Sequence, residues 1–231
     1  MTFADDALPT RAEISEVVDP LGWRLILGVL ITHVPVPTLA AAVAAAGVAV
    51  DAAGTAGTGH LSLDLHDDRV VVRLHTRAVG AVTGLDLRLA GQISAALAER
   101  SLRTAPGDPA APPQALEIAI DALDIAAVRP FWQAVTGYVD EPAAPDLPQN
   151  ALVDPLRRGP ALWFQQMDAP RPQRNRIHLD VDVAPERAQT RIAAALAAGG
   201  TMRDARAAPA FWVLADPEGN EACICTWQGR D

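Results

Sequence analysis

Between Thr104 and Gln114 the chain reads TAPGDPAAPPQ, and no other stretch constrains the fold as strongly. Proline fixes φ and lacks a backbone donor, and glycine carries no β-carbon, so neither a helix interior nor a central strand runs through such a segment. The sequences on either side must therefore build separate cores. With 231 residues, half of them hydrophobic, the chain is long enough for two ordinary domains. The expected division is residues 1–103, a linker over 104–114, and residues 115–231.

Ahead of the linker, the period-2 and period-3.6 patterns predict a strand WRLILGVLI from Trp23, an Ala-rich helix PTLAAAVAAAGVAV, strands HLSLDLHD and RVVVRLHTRAV, and a helix TGLDLRLAGQISAALAER. Thr83 and Asp86 open the last helix as an N-cap with an acid at the third helical position. The Ala-rich tract is a helix former that packs closely on a sheet, not a disordered repeat.

After the linker one arrangement occurs twice. ALEIAID leads into a helix IAAVRPFWQAVTG and then short extended pieces ending in ALWFQQM. RIHLDVDV leads into PERAQTRIAAALAAGG and then FWVLAD and EACICTW. Each half is a β-α-β-β-β unit, although the halves share little literal sequence. Pro130 either kinks its helix or marks its true beginning. The fold class is α+β.

Strand parity sorts side chains by face. In RIHLDVDV one face holds Ile177, Leu179, Val181 and Val183; the other holds His178, Asp180 and Asp182. Glu221 shares its face with Cys223, Cys225 and Trp227, Glu117 faces away from Leu116 and Ile118, and Gln165 lies between Trp163 and Met167 on a minority face. Four strands thus each offer a metal-capable side chain to one concavity. The two cysteines lie two residues apart in one strand, poorly placed for a disulfide, and read as free buried thiols.

These parts of Gln114–Asp231, RIHLDVDV and DPEGNEACICTW above all, resemble the vicinal oxygen chelate superfamily, which includes glyoxalase I, extradiol dioxygenases and fosfomycin-resistance proteins, and especially its glyoxalase-like branch. The resemblance implies two β-α-β-β-β units that curve around a divalent metal held by their first and last strands. It matches His178 and Glu221 to ligands, puts Glu117 where a first-strand His often occurs, and offers Gln165 as a fourth. Such ligands suit Zn, Ni, Mn, Fe or Co, and open positions would let the ion polarise paired substrate oxygens. The implied activity is a metal-dependent lyase, isomerase or dioxygenase-type reaction on a small oxygenated molecule. The alternative is metal-free small-molecule binding, with His178 and Glu221 satisfied by hydrogen bonds.

Ile14–Ala98 resembles a second family, the pterin carbinolamine dehydratases, most closely in VVVRLHTRAVGAVTGLDLRLAGQI. That family works with a His-His-Pro motif and a third His on the following strand. Here the motif reads Gly59-His60-Leu61 and the third position is Arg77, which cannot exchange a proton as imidazole does. His75, ~7 Å away along the strand, could substitute. Asp86 matches the family's helix Asp. His33 and His66 lie outside the motif and read as surface or turn residues. The resemblance implies a dehydratase fold with an altered site, and 4a-hydroxytetrahydrobiopterin dehydratase activity is the third reading.

The formal charge of -9, with arginine as the only cationic side chain besides histidine, argues against a nucleic-acid partner. The acidic start MTFADDALPT is unlike a secretory signal, and no uncharged apolar run reaches membrane-spanning length. The expectation is a cytoplasmic protein with a small-molecule ligand and no membrane partner. A homo-oligomer stays open.

Overall fold

The computed structural model describes residues 3–107, 112–142, 151–170 and 177–230. The chain divides into two compact units, Met1–Ala115 with Pro142–Leu147 and Leu116–Glu141 with Pro148–Asp231.

In the first unit the order is α1 (Arg11–Val18), β1 (Arg24–Ile26), β2 (Val29–Pro35), α2 (Leu39–Ala53), β3 (Leu61–Leu65), β4 (Arg69–Leu74) and α3 (Gly84–Glu99). The strands form one antiparallel sheet in the order β1-β2-β4-β3. Its inner face supplies Leu30, Val34, Val70, Val72 and Leu74 to a core with Ile93 and Leu97 of α3 and five alanines of α2. Alanine suits that role because its small side chain lets the helix approach closely while keeping high helix propensity. Leu39–Gly57 is apolar and long enough to cross a membrane by length and composition, yet its alanine stripe is core. Trp23 is fully buried and donates its indole N–H to Ser94 Oγ at 2.9 Å.

Three features of this unit differ from the sequence expectation. The single strand from Trp23 is a hairpin, turned at Leu27 and Gly28, both with positive φ. The sequence there has Leu-Gly in place of the usual Asn-Gly signal. Helix α1 was not anticipated, although Thr10 and Glu13 form a reciprocal capping box at its start. His33 lies inside β2, half-buried, and exchanges backbone bonds with Ala105. Thr104 and Ala105, from the Pro-rich stretch, thus bond into this unit, with Thr104 Oγ1 donating to the Leu21 carbonyl at 2.5 Å and Thr32 Oγ1 to the Ala105 carbonyl at 3.1 Å. Residues 108–111 of that stretch lie outside the described residues.

The second unit holds two β-α-β-β-β modules. The first is β5 (Glu117–Ala122), α4 (Ile125–Thr136), β6 (Val139–Asp140), β7 (Leu152–Val153) and β8 (Ala161–Gln166). The second is β9 (Leu179–Asp182), α5 (Pro185–Ala197), β10 (Thr201–Asp204), β11 (Phe211–Ala215) and β12 (Glu221–Cys225). The sheets run β5-β8-β7-β6 and β9-β12-β11-β10, the same order twice, with the first and last strand of each module paired in parallel. Helix α4 begins at Ile125, where Asp124 caps the Ala127 N–H, and it runs through Pro130, so the proline does not mark its start.

One core serves both modules. Phe131, Trp132 and Val135 of α4 and Ile192 and Ala195 of α5 pack with Ile120, Leu162, Phe164, Leu214, Ala222 and Ile224 from the strands. The Asp-Pro-Glu-Gly-Asn turn fastens the modules further. Asp216 Oδ1 accepts the N–H groups of Glu218 and Asn220, both at 2.9 Å, and its Oδ2 accepts Trp132 Nε1–H at 3.0 Å and Asn220 Nδ2–H at 2.8 Å. Glu218 then accepts the N–H groups of Leu123 and Asp124 at the mouth of α4. Gly219, with φ of +91°, makes the reversal.

Candidate functional sites

Among the described residues two places gather polar chemistry, one in each unit. In the second unit, β12 lies between β11 and β9, with Cys223 opposite Asp180 and Cys225 opposite Asp182. Continuing that register by one residue puts His178 beside Glu221. Their side chains meet: His178 Nε2 is 3.0 Å from Glu221 Oε2, with the glutamate nearly buried and the imidazole partly open. Ala222 and Ile224 turn into the main core, whereas Cys223, Cys225 and Val213 form a small apolar floor on the opposite face. Parity thus explains an acid at the head of a buried strand: Glu221 is on the face that also carries His178. The Asp216 turn sets where β12 begins and so where that carboxylate falls.

The neighbouring thiols are chemically quiet. Burial first, and then a hydrogen bond to Asp180, push the Cys223 thiol up to about 12. Cys225 is raised as well, chiefly by burial. Both are free. Cys223 Sγ lies 4.0 Å from His178 Nδ1, at the limit of a weak sulfur contact.

Glu117 is the first residue of β5, opposite Ala161 of β8. Local desolvation and then the charge of Glu141 raise its pKa above the ordinary 4.5. Gln165 is opposite Asp121, four residues further along the same pair of strands, so it sits ~13 Å from Glu117's row. Among the described residues no three His, Cys, Asp or Glu side chains gather as a metal-holding group. The structure therefore joins His178 to Glu221 and does not add Glu117 to them, and it sets Gln165 at the far end of its strand from Glu117. Asp216 and Glu218 were missed as organisers of the site, although the turn containing them was prominent in the sequence.

Residues 117–225 match the family model described as glyoxalase-like domain. The carboxy-terminal half carries a glyoxalase-like domain. Solved structures similar to this chain include a glyoxalase/bleomycin resistance protein/dioxygenase family enzyme from Burkholderia phytofirmans PsJN, 21% identical, covering 48% of this chain and 95% of that one with a TM-score of 0.35. A glyoxalase-related enzyme from Fulvimarina pelagi is 20% identical and covers 49% of this chain and 87% of that one, with a TM-score of 0.37. The fosfomycin resistance protein FosX from Mesorhizobium loti is 10% identical and covers 50% and 92%, with a TM-score of 0.39. No curated protein matches. In the glyoxalase-like domain the β-α-β-β-β duplication read from sequence is present, and His178 and Glu221 are its paired polar side chains.

The second site belongs to the first unit. His60 Nδ1 lies 2.9 Å from Asp86 Oδ1 and 3.1 Å from Thr76 Oγ1. The other oxygen of Asp86 accepts Thr76 Oγ1–H at 2.6 Å and the Thr83 N–H at 2.8 Å. Asp86 is fully buried, so these bonds replace the water that its carboxylate has lost. In the neutral ring, donation from Nδ1–H to Asp86 leaves Nε2 with its lone pair. His60 and Thr76 line an open cleft of about 320 Å³.

Of the four candidates named here from sequence, His60 and Asp86 come together. His75 is buried beside them, bonding through its backbone N–H to the His60 carbonyl, and does not line the cleft. Arg77 reaches Ser62 Oγ at 3.3 Å and also lies outside it. Thr76 was missed, although it lies between those two residues. Strand alternation explains its different direction.

Proposed function

We propose that the glyoxalase-like domain is a small-molecule-binding module whose polar centre is the His178–Glu221 pair. The observation that carries this reading is the 3.0 Å approach of Nε2 to Oε2 on the sheet face turned away from the main core. Glu221 can accept a hydrogen bond from a ligand hydroxyl and, with Nε2–H given to Glu221, the Nδ1 of a neutral His178 ring can accept another, so a ligand bearing hydroxyl groups suits the pair. A divalent ion would meet one imidazole and one carboxylate already bonded to each other. Among the described residues no third His, Cys, Asp or Glu joins them, so the set does not fit a three-ligand catalytic centre.

The reading predicts that protein purified without chelator carries metal well below one equivalent. It also predicts that Glu221→Gln and His178→Ala leave this content unchanged, while both abolish thermal shifts given by the best oxygenated compounds in a screen. Stoichiometric metal that disappears in both variants would overturn it in favour of a metal-dependent lyase, isomerase or dioxygenase-type enzyme.

A second reading concerns the first unit, which we propose is a dehydratase-like domain with a reduced catalytic set. It is supported by the resemblance over Ile14–Ala98 and by the Asp86-held ring of His60 at the cleft. Asp86 fixes the ring's orientation and tautomer, and Nε2 is the atom able to take or return a proton. With Gly59 and Arg77 in the motif's other two imidazole positions, turnover of a pterin carbinolamine should be far below that of an intact family member, and His60→Ala should remove the residue. Turnover at the level of an intact member would refute the reduced set.

A further inference from the structure

The cleft beside His60 owes one wall to Phe3–Leu8, the segment ahead of α1. Asp5, Asp6 and Leu8 line it there, opposite His60 and Thr76. The segment is strapped to the start of α3. Gly84 N–H donates to the Ala7 carbonyl and Leu85 N–H to the Asp5 carbonyl, both at 3.0 Å. Arg88 grips the Asp5 carboxylate with Nε at 3.0 Å and Nη2 at 2.7 Å. Position 84 must be glycine for this approach, since a β-carbon there would run into the Ala4 carbonyl. Phe3 packs against the core at the other end of the strap.

The strap changes the electrostatics of the cleft. The first N–H groups of a helix ordinarily favour an anion. Here the strap's carbonyls take the first two, and the Asp86 carboxylate takes the Thr83 N–H just ahead of them. Asp5 is matched by Arg88, but Asp6 has no ion-pair partner among the described residues. Among the described residues no arginine lines the cleft, and the chain contains no lysine. A negative charge entering the cleft would meet Asp6 at the rim and Asp86 behind His60. A positive charge would be attracted by both.

We infer that the strap Phe3–Leu8 makes this cleft selective for a small ligand bearing a cationic group on an apolar body, and that it turns anions away. Leu8, with Val79 and Leu85, supplies the apolar contact, and Asp6 supplies the charge. This inference rests on the cleft being a ligand site and does not depend on dehydratase turnover.

The test uses the full chain and three probes of similar size, benzylammonium, benzyl alcohol and benzoate, followed through the amide resonances of His60, Thr76 and Thr83. Benzylammonium is expected to bind about tenfold more tightly than benzoate at low ionic strength, with the difference shrinking in 1 M salt. Asp6→Asn should cut that ratio at least threefold and Asp6→Arg should reverse it. Because Asp6 is exposed and makes no hydrogen bond or ion pair among the described residues, these variants keep the fold. Equal binding of the three probes, or a ratio untouched by Asp6→Arg, overturns the inference while leaving a ligand site. If no probe moves these resonances, the ligand-site reading fails with it.

Discussion

Replacing Asp216 by alanine tests the idea that the turn before β12 locks the two modules together. Asp216 is buried, and its two oxygens accept four hydrogen bonds, one of them from the indole of a nearly buried tryptophan more than 80 residues away in sequence. Truncation leaves Trp132 Nε1–H in the core without an acceptor, which costs about 1–3 kcal/mol. The turn amides of Glu218 and Asn220 are nearer to solvent and recover water, so each lost bond adds only about 0.5–1 kcal/mol. The expected total is about 2–5 kcal/mol against the second unit. Urea unfolding followed by tryptophan fluorescence reads it, with the relevant transition identified as the one that Trp132→Phe also shifts. In the double-mutant cycle the two changes should couple by about 1–2 kcal/mol, since once the indole N–H is gone Asp216 has one bond fewer to lose. A loss below about 1 kcal/mol, or strict additivity of Asp216→Ala and Trp132→Phe, would refute the account.

Glu117 has a folded pKa raised above its ordinary value, so the unfolded chain holds its carboxylate more readily; the native state is penalised as pH rises from about 4.5 through the folded pKa, and the penalty is absent below that window. Glu117→Gln should therefore raise the melting temperature of the second unit at pH 7 and leave it unchanged near pH 3; a shift of equal size at both pH values would contradict the cause given. The Cys223 thiol, pushed up to about 12, should stay protonated at pH 8.5, so iodoacetamide should label neither Cys223 nor Cys225 until the unit unfolds, and rapid labelling of the native protein would show the floor to be open.

The features legible in the sequence were those set by a segment's own pattern. Thr83 and Asp86 announced the start of α3 because both capping partners lie within one turn. Alternation placed Ala222 and Ile224 in the core and Cys223 and Cys225 on the other face, since one buried side is enough to fix parity. The features that escaped depend on partners remote in the chain. Gln165 has suitable parity, but only the pairing of β8 with β5 reveals that it is opposite Asp121 and not near Glu117. Thr76 joins His60 and Asp86 because a β-bridge, a turn and a helix start converge, which no local window contains. The hairpin at Leu27–Gly28 was hidden for a different reason: leucine at positive φ is uncommon, and an apolar residue there looks like continued strand.

Asp86 holds the Thr83 amide at the head of α3 and also orients His60. Its first task belongs to folding, and losing a capping acid buried among three donors would weaken the helix whether or not the cleft had any work. A lineage that abandoned the cleft would be kept from losing Asp86 by the demand for a folded protein, while His60 would be released to change. Erosion of the site would therefore register first at the imidazole, and a homologue retaining this Asp without the His would mark a domain kept for its architecture alone.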